Sequence, residues 1–343
     1  MRILQVAAPT TAGGLERVLE NLAVGLRRRG HEVHVATLLF GDDRSHPVVE
    51  RLVAGGVTVH PIRLRPPEYR RERREVARVC DEIAPDVAHT HGYRVDLLDR
   101  SVIARRGVPT VTTVHGASKA GGAKGAFLEW LQRRNYARFD GVVAVSRALY
   151  EESLGDGVQA DRLHLIRNAW SGWYEPHTRE GARSALGLDP DARVVGWVGR
   201  MLPVKGGDLF LDAIARLPEP RPVAVMIGYG PESARLEEQA ARLGLRDSVR
   251  FHSDIPDAGR YFPAFDAYAL SSRSEGLPIV ILEAMATETP IVAFDVGGIT
   301  EAVGGDEALI VPAGDTDALA GSIQASLDDR AAARERARRA AAR

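Results

Sequence analysis

Cysteine and long apolar runs are nearly absent from this sequence. Its 343 residues include a single cysteine, Cys80, which excludes an internal disulfide and leaves no cysteine cluster for a metal. No stretch approaches the roughly eighteen consecutive apolar residues of a membrane-spanning helix, and no charged segment followed by an apolar one opens the chain. These absences predict a cytoplasmic protein, and Cys80 is interpreted as a packed helix residue.

Net charge is also nearly absent, at −1, but the two halves of the chain differ in sign. Residues 1–170 carry 26 Lys and Arg against 20 Asp and Glu, whereas residues 171–343 carry 19 against 26. Six arginines between Arg63 and Arg74 supply most of the basic excess. A basic half favours an anionic partner, such as a phosphate-bearing acceptor or a membrane surface. An arginine-rich composition from a GC-rich genome explains the same excess without a partner, and the sequence leaves both explanations open.

Short apolar strands and helical patterns alternate along the chain. Strands are predicted at Arg2–Ala8, Glu32–Leu39, Val57–Ile62, Asp86–His91, Thr110–His115, Val142–Ser146, Leu163–Asn168, Arg193–Gly199, Val223–Tyr229, Val249–His252, Tyr268–Leu270, Pro290–Phe294 and Leu309–Pro312. This alternation is typical of parallel, doubly wound α/β sheets, and the length is sufficient for two domains with separate cores. Ligand residues are then expected at the carboxyl ends of strands. Gly13 and Gly14 follow the first strand without forming G-x-G-x-x-G, so the nicotinamide fingerprint is absent.

The most informative stretch is residues 271–286, which read SSRSEGLPIVILEAMA. Glu275 follows an apolar run, and a Gly-Leu-Pro turn then leads into a helical pattern that carries Glu283. Amides at the start of that helix favour an anionic or oxygen-rich ligand, and they belong to Gly276, Leu277 and Ile279. The segment therefore predicts a site for a polyhydroxylated, phosphorylated ligand. The alternative is that Glu283 is a solvated helix residue after a simple turn.

Two cations follow the first strand of the second half. Arg200 ends that strand, and Lys205 lies just before the next helix. The planar fork of an arginine and the compact charge of a lysine together suit a diphosphate, although either residue could instead be an ordinary surface cation. Asp315-Thr-Asp317 has the spacing of a metal-binding Asp-x-Asp, but it precedes an apolar helical pattern. Asp315 is therefore predicted to be a helix N-cap, and no metal site is expected.

Histidines lie at predicted strand ends in the first half. His89 and His91 belong to AHTHG, and His115 precedes the Gly-rich segment GASKAGG. Most histidines are structural, and His89 is interpreted in that way. His115 is the better-placed candidate for a ligand site, whereas His91 and Lys119 are candidates for acceptor binding.

Two motifs carry a family resemblance. Ser-x-x-Glu-Gly-x-Pro followed by Leu-Glu-Ala-Met-Ala, together with Gly-Arg-x-x-x-x-Lys-Gly at residues 199–206, resembles the signature of the family 4 retaining glycosyltransferases. The resemblance covers nearly the whole chain and implies the GT-B fold, in which two Rossmann-like, doubly wound domains face each other across a cleft. It implies an acceptor-binding domain at 1–169, a linker at 170–178, a donor-binding domain at 179–329 and a helical tail at 330–343. The family's usual Asn-Gly-Val-Asp is Asn-Ala-Trp-Ser here, so the linker departs from the pattern.

The resemblance also implies roles for individual residues. In the family the first glutamate meets a hydroxyl of the donor sugar and the second meets the ribose. The implied catalytic residues are Glu275, His115, Arg200 and Lys205. The glycines of the first loop close over the donor phosphate, and the turns after two later strands hold the nucleotide. The implied donor-binding residues are Gly13, Gly14, Arg200, Lys205, Gly228, Gly230, Ile255, Glu275, Gly276, Leu277, Pro278, Ile279 and Glu283.

The implied activity is metal-independent transfer of a hexose, with retention of its anomeric configuration, from a nucleotide-diphosphate sugar. The acceptor would be a glycan, a glycolipid or a small molecule, and a UDP-sugar donor is expected ahead of a GDP-sugar, with no further cofactor. The expected setting is bacterial polysaccharide or glycolipid assembly in the cytoplasm, with peripheral contact to the anionic inner face of the membrane and no nucleic acid. The alternatives are a sugar-nucleotide epimerase or a phosphorylase on the same fold, and a non-catalytic sugar-nucleotide-binding protein.

Overall fold

The chain forms two compact units, unit 1 at Met1–Asn168 and unit 2 at Ala169–Arg343. A computed structural model describes residues 1–10, 13–41, 46–116, 123–170 (side chains from 125 in its first helix), 172, 174–253 and 255–343. Each unit contains one parallel sheet with helices around it and its own buried core. None of the described helices is both long enough and apolar enough to span a membrane.

Unit 1 contains a seven-stranded sheet. Its strands are β1 Arg2–Ala7, β2 Glu32–Phe40, β3 Thr58–Leu64, β4 Val87–His91, β5 Thr110–Val114, β6 Gly141–Ala144 and β7 Leu163–Leu165. Its helices are α1 Gly14–Arg28, α2 Pro47–Ala54, α3 Tyr69–Ile83, α4 Tyr93–Leu98, α5 Arg100–Ala104, α6 Ala123–Tyr136 and α7 Arg147–Gly155. The strand order is β3-β2-β1-β4-β5-β6-β7, so the winding direction reverses between β1 and β4. The carboxyl ends of those two strands therefore form the expected ligand edge.

Unit 2 repeats this design with a six-stranded sheet. Its strands are β8 Val194–Val198, β9 Val223–Ile227, β10 Val249–His252, β11 Ala267–Leu270, β12 Ile291–Phe294 and β13 Leu309–Val311. Its helices are α8 Arg179–Ala185, α9 Gly207–Ala215, α10 Ser233–Arg242, α11 Ile279–Ala286, α12 Ile299–Ala302, α13 Thr316–Asp328 and α14 Arg330–Ala342, with 3-10 turns at Pro203–Lys205 and Ala258–Ala264. The order β10-β9-β8-β11-β12-β13 reverses between β8 and β11. The two topologies confirm the predicted pair of doubly wound, Rossmann-like folds.

Burial on both faces explains why the strands are nearly continuous apolar runs. All five residues of β8 are buried, as are all four of β11 and of β12. Cys80 packs in the apolar core of unit 1, as interpreted, and burial raises the pKa of its thiol to about 11. Strand ends differ from the predicted ones by a few residues, most at β7, which stops at Leu165 rather than Asn168.

The carboxyl-terminal segment belongs to the packed part of unit 2. Residues 330–343 form α14, and its buried alanines lie at positions 333, 337 and 340, about one turn apart. This small-residue face allows α14 to pack against α11 and α13. Asp315 caps α13 as predicted, because its carboxylate accepts a hydrogen bond of 2.9 Å from the amide of Ala318.

Candidate functional site

Two loops meet where the strand order of unit 2 reverses. One loop follows β8 and the other follows β11, and the amide of Arg273 donates across them to the carbonyl of Val204 at 2.8 Å. The Ser271 hydroxyl donates to the carbonyl of Gly206 at 2.7 Å. Gly206 has φ +64°, and a Cβ there would lie 1.9 Å from the carbonyl oxygen of Ser271. Only glycine permits this approach, so Gly206 allows the two loops to lie this close together.

An ion pair joins the side chains of these loops. The Lys205 ammonium lies 2.7 Å from Oε1 and 2.8 Å from Oε2 of Glu275, and the Ser272 hydroxyl donates to the same Oε1 at 2.6 Å. The Glu275 side chain is 6% exposed and that of Lys205 is 27% exposed. Both oxygens of Glu275 therefore accept hydrogen bonds from fixed donors, and a carboxylate held in this way is suited to accept a further hydrogen bond from a sugar hydroxyl.

Arg200 follows β8 and is the second predicted cation of this edge. Its side chain is partly buried, and within the part of the chain that the structure describes, the guanidinium has no hydrogen bond or ion pair. Lys205 is neutralised by Glu275, whereas Arg200 has no counter-ion among the residues that the structure describes. A diphosphate is the kind of ligand that would supply one.

The loops after β9 and β12 lie beside this pair of loops. Gly228 has φ +143°, and a Cβ on it would lie 1.9 Å from the carbonyl oxygen of Gly199, so the loop after β9 packs directly on the loop after β8. Gly230 lies in the same tight contact, against the backbone of Met201. Ile255 packs partly buried against the apolar core. The amide of Gly298 donates to the carbonyl of Gly276 at 2.8 Å, which anchors the turn before α11. Leu277 and Pro278 complete that turn and are buried, as is Ile279, the first residue of α11.

Glu283 lies on α11 and is buried, which excludes the alternative of a solvated helix residue. The Tyr174 hydroxyl donates to Glu283 Oε1 at 2.7 Å. Gly259 leaves the room for this contact, because a Cβ there would lie 1.6 Å from the Tyr174 hydroxyl. Tyr174 lies in the segment predicted as a linker. Its role was not predicted, because no local pattern relates two residues 109 positions apart.

A second tyrosine of unit 2 was also missed. Tyr268 on β11 is fully buried, and its hydroxyl has no hydrogen-bond partner among the described residues. Burial raises the pKa of this phenol well above its ordinary value, and the charges of Glu275 and Glu283 raise it further. The hydroxyl therefore stays protonated, and an unpaired buried donor is unusual enough to mark a polar site.

Three histidines lie at the ligand edge of unit 1. His89 Nε2 is 2.8 Å from the Thr113 hydroxyl, and His91 Nε2 is 3.2 Å from the Gln5 side-chain oxygen. Burial lowers the pKa of His89 to about 3 and that of His115 to about 4, and it holds the pKa of His91 well below 6.5. All three rings are therefore neutral at pH 7. His91 Nδ1 and His115 Nε2 are buried and have no hydrogen-bond partner in the described chain, which is unusual for buried polar atoms.

The start of α1 forms the other side of that edge. Gly13 precedes the helix and Gly14 begins it. The Glu16 carboxylate, in the first turn, accepts hydrogen bonds of 2.7 Å and 2.8 Å from the amide and hydroxyl of Thr10. An acid at this end of a helix is stabilised by the helix dipole. Lys119 lies outside the described residues. Among the residues that are described, no group of three His, Cys, Asp or Glu side chains could hold a metal ion.

Sequence comparisons match both units. The family described as Glycosyl transferases group 1 matches residues 178–343, and Glycosyltransferase Family 4 matches residues 12–170. The lipopolysaccharide core biosynthesis mannosyltransferase LpsB of Rhizobium meliloti is 40% identical over 168 residues, which are 45% of this chain and 47% of LpsB. The D-inositol 3-phosphate glycosyltransferase of Acidothermus cellulolyticus is 31% identical over 362 residues, covering 95% of this chain and 80% of that protein. The matched region thus spans about half of LpsB and most of the second relative.

Structural comparison shows the same fold. The crystal structure of HepE from Anabaena in complex with UDP-glucose superposes with a TM-score of 0.86 at 24% identity, covering 100% of this chain and 94% of HepE. Sucrose-phosphate synthase from Thermosynechococcus elongatus superposes with a TM-score of 0.80 at 21% identity, covering 99% of this chain and 93% of that one.

Proposed function

The chain belongs to the group 1 glycosyltransferases of family 4 and has the GT-B fold, and from this premise we propose that it transfers a hexose from a nucleotide-diphosphate sugar. The acceptor is a glycan, a glycolipid or a small molecule. Unit 2 binds the donor, and unit 1 binds the acceptor. The observation that carries the proposal is the Lys205–Glu275 pair, whose lysine lies on the loop that also carries Arg200, at the place where the sheet of unit 2 reverses its winding.

Arg200 and Lys205 neutralise the diphosphate as the bond to the sugar breaks. Negative charge grows on the leaving phosphate in that step, and fixed cations in a partly buried site stabilise it without reorganising. Arg200 supports this role because no described group neutralises it. Lys205 contributes its positive charge while it remains in contact with Glu275. Lys205, Glu275 and the bound donor therefore form one network of charged groups.

Glu275 and Glu283 bind the two ends of the donor. Glu275 accepts a hydrogen bond from a sugar hydroxyl, with Lys205 and Ser272 fixing its oxygens. Glu283 binds the ribose, and the Tyr174 hydroxyl orients its carboxylate. In unit 1, His115 contacts the donor sugar as a neutral imidazole, and Gly13 and Gly14 approach the donor phosphate. His91 and Lys119 bind the acceptor.

UDP is the proposed nucleotide, ahead of GDP. HepE, the structural neighbour described above, is bound to UDP-glucose, and its fold covers the whole chain. The reaction needs no metal, since the cations of unit 2 supply the positive charge. The sugar keeps its anomeric configuration, by front-face attack that the leaving phosphate assists.

The acceptor belongs to polysaccharide or glycolipid assembly in the cytoplasm, at the inner face of the membrane. Support comes from LpsB, which is named for lipopolysaccharide core biosynthesis, and from the exposed arginines of the Arg63–Arg74 segment. Arg63, Arg65, Arg70, Arg71 and Arg74 are exposed in the structure, and Arg73 is partly buried.

A nucleotide screen combined with a transfer assay tests the proposal. Thermal shifts with UDP, GDP, ADP and their sugar conjugates should show stabilisation by UDP and a UDP-sugar, unchanged by EDTA, because a ligand of the native state raises apparent stability. NMR of the product should then show the donor's anomeric configuration. A shift without sugar release or transfer would favour a non-catalytic binding protein, and conversion of the donor to its 2-epimer would favour the epimerase.

A further inference from the structure

Helix α6 of unit 1 carries apolar side chains on its solvent side. Phe127 is 57% exposed, Trp130 is 49% exposed and Leu131 is 38% exposed. With exposed Arg134 these residues occupy positions i, i+3, i+4 and i+7, which is one stripe of a helix. We call these four residues the α6 outer face. The proposed chemistry of the donor site uses none of them.

The inner side of the same helix buries the Tyr136 ring but also carries two polar side chains that bind a neighbouring helix. Gln132 donates to the Asp96 carboxylate at 2.7 Å, and Asn135 donates to the Asp96 backbone carbonyl at 2.6 Å. Asp96 is fully buried on α4 and also accepts from the Thr90 and Thr112 hydroxyls. A helix that lies on a protein in water usually turns its apolar stripe inward. Helix α6 instead leaves Phe127, Trp130 and Leu131 on its outward side, which is expected when a second apolar phase covers the outer face.

The charges around the stripe identify that phase. The Arg134 guanidinium stacks 4.8 Å from the centre of the Trp130 ring. Neither Arg134 nor Arg138 has an ion pair within the described ranges, whereas Arg133 is held by Glu152 and Asp156. An aromatic and aliphatic stripe edged by unneutralised arginines is the pattern of helices that lie in the headgroup region of an anionic bilayer.

We propose that the α6 outer face rests on an anionic membrane, with Phe127, Trp130 and Leu131 at the acyl boundary and Arg134 and Arg138 among the headgroups. This inference deepens the membrane contact of the proposed function and rests on it, because a lipid-linked acceptor gives the contact its purpose. It also names a different surface from the Arg63–Arg74 segment, one that has apolar anchors as well as charge.

Co-sedimentation with vesicles of phosphatidylglycerol and phosphatidylcholine in equal parts tests the proposal. Trp130→Glu and Phe127→Glu should each weaken binding about tenfold or more, because a charge replaces an anchoring aromatic ring. The matched control is Val53→Glu, which places the same charge on an equally exposed apolar helix residue of unit 1. Replacing Arg134 and Arg138 by alanine should weaken binding about fivefold per arginine and reduce its salt dependence.

Thermal stabilisation by UDP, measured on the same preparations, separates this proposal from the proposed function. UDP should stabilise every variant as it stabilises the wild type. If UDP does not stabilise the wild type, the donor site is overturned, whereas the membrane contact of the α6 outer face is not. Wild-type vesicle binding by Trp130→Glu, or equal losses in Val53→Glu, would overturn the inference. Concentration-dependent dimerisation that Trp130→Glu abolishes would show instead that the face binds a second copy. If Trp130→Glu fails to fold, Leu131→Gln gives the same comparison.

Discussion

The ligand edges of the two sheets differ in charge, although the sheets share one topology. In unit 2 the edge holds Arg200 and the Lys205–Glu275 pair. In unit 1 it holds three imidazoles that burial keeps neutral, those of His89, His91 and His115. Fixed cations suit a ligand that gains negative charge during a reaction, whereas neutral rings suit hydroxyl groups that exchange hydrogen bonds. One fold therefore presents two different charge environments at the ligand edges of its sheets.

The Lys205–Glu275 pair is costly to bury, which makes its position informative. Charges taken out of water lose hydration, and a buried pair often stabilises a fold no better than apolar residues of the same size. The core of unit 2 does not need this pair, because apolar side chains fill it on both sides of the sheet. A role in binding explains the pair better than a role in stability.

Removing Lys205 should produce the largest effect on the charged edge. Lys205→Ala takes a cation from the diphosphate site and leaves Glu275 buried without its counter-charge, so kcat/KM for the UDP-sugar should fall about a hundredfold or more. Steady-state kinetics measure the change. The matched control is Arg216→Ala, which breaks the exposed Arg216–Asp317 pair of the same unit and should leave kcat/KM within about twofold. Wild-type turnover by Lys205→Ala would contradict the assigned role.

Acidification should destabilise the neutral edge. The pKa of His89 is about 3 in the folded protein, below the value of about 6.5 expected when unfolded, so the unfolded state binds more protons between these values. Stability is then complete above about pH 6.5 and falls as pH decreases, by about 2 kcal/mol at pH 5 for this residue. Urea unfolding at about pH 6.5 and at pH 5 measures the change. The free energy of unfolding should fall less between these values for His89→Gln than for the wild type.

His164→Gln is the control for that experiment, because His164 is exposed on the same sheet. It should lose as much stability on acidification as the wild type. An identical pH dependence in the wild type and His89→Gln would mean that His89 is not held neutral, and the contrast between the two edges would fail.

Arg200→Ala should weaken nucleotide binding without destabilising the free protein. Its guanidinium has no partner among the described residues, so the apparent melting temperature should not change. Affinity for UDP should fall about tenfold or more, and Arg200→Lys should give an intermediate value because it keeps the charge and loses the planar fork. Calorimetric titration measures both variants. A lowered melting temperature with unchanged UDP affinity would show that Arg200 is structural.

Tyr174→Phe should give the smallest of these effects. It removes the hydrogen bond that orients Glu283, worth about 1 kcal/mol, so UDP affinity should fall about fivefold. Affinity for 2′,3′-dideoxy-UDP should not change, because that ligand lacks the hydroxyls that Glu283 is proposed to bind. Tyr261→Phe, another tyrosine of unit 2, is the matched control. Equal losses for both ligands would indicate a general packing defect.

The sequence predicted the strands and the candidate residues at their ends, because turn residues and apolar runs are local signals. It assigned Lys205 and Glu275 to different parts of the donor and did not predict their contact. These residues are 70 positions apart, and they meet only because the sheet order places β8 beside β11. The Tyr174–Glu283 contact was missed for the same reason. The outward apolar face of α6 also depends on tertiary packing, since the sequence alone does not show which side of this helix meets solvent.

Binding of UDP and UMP in the presence of EDTA tests the central claim most directly, namely that the charged edge of unit 2 recognises a diphosphate. Calorimetric titrations should be made with the wild type and with Arg200→Ala. The account predicts that the wild type binds UDP about a hundredfold more tightly than UMP without metal, and that this preference shrinks about tenfold in the variant. Equal wild-type affinities for UDP and UMP, or UDP binding that EDTA abolishes, would contradict it.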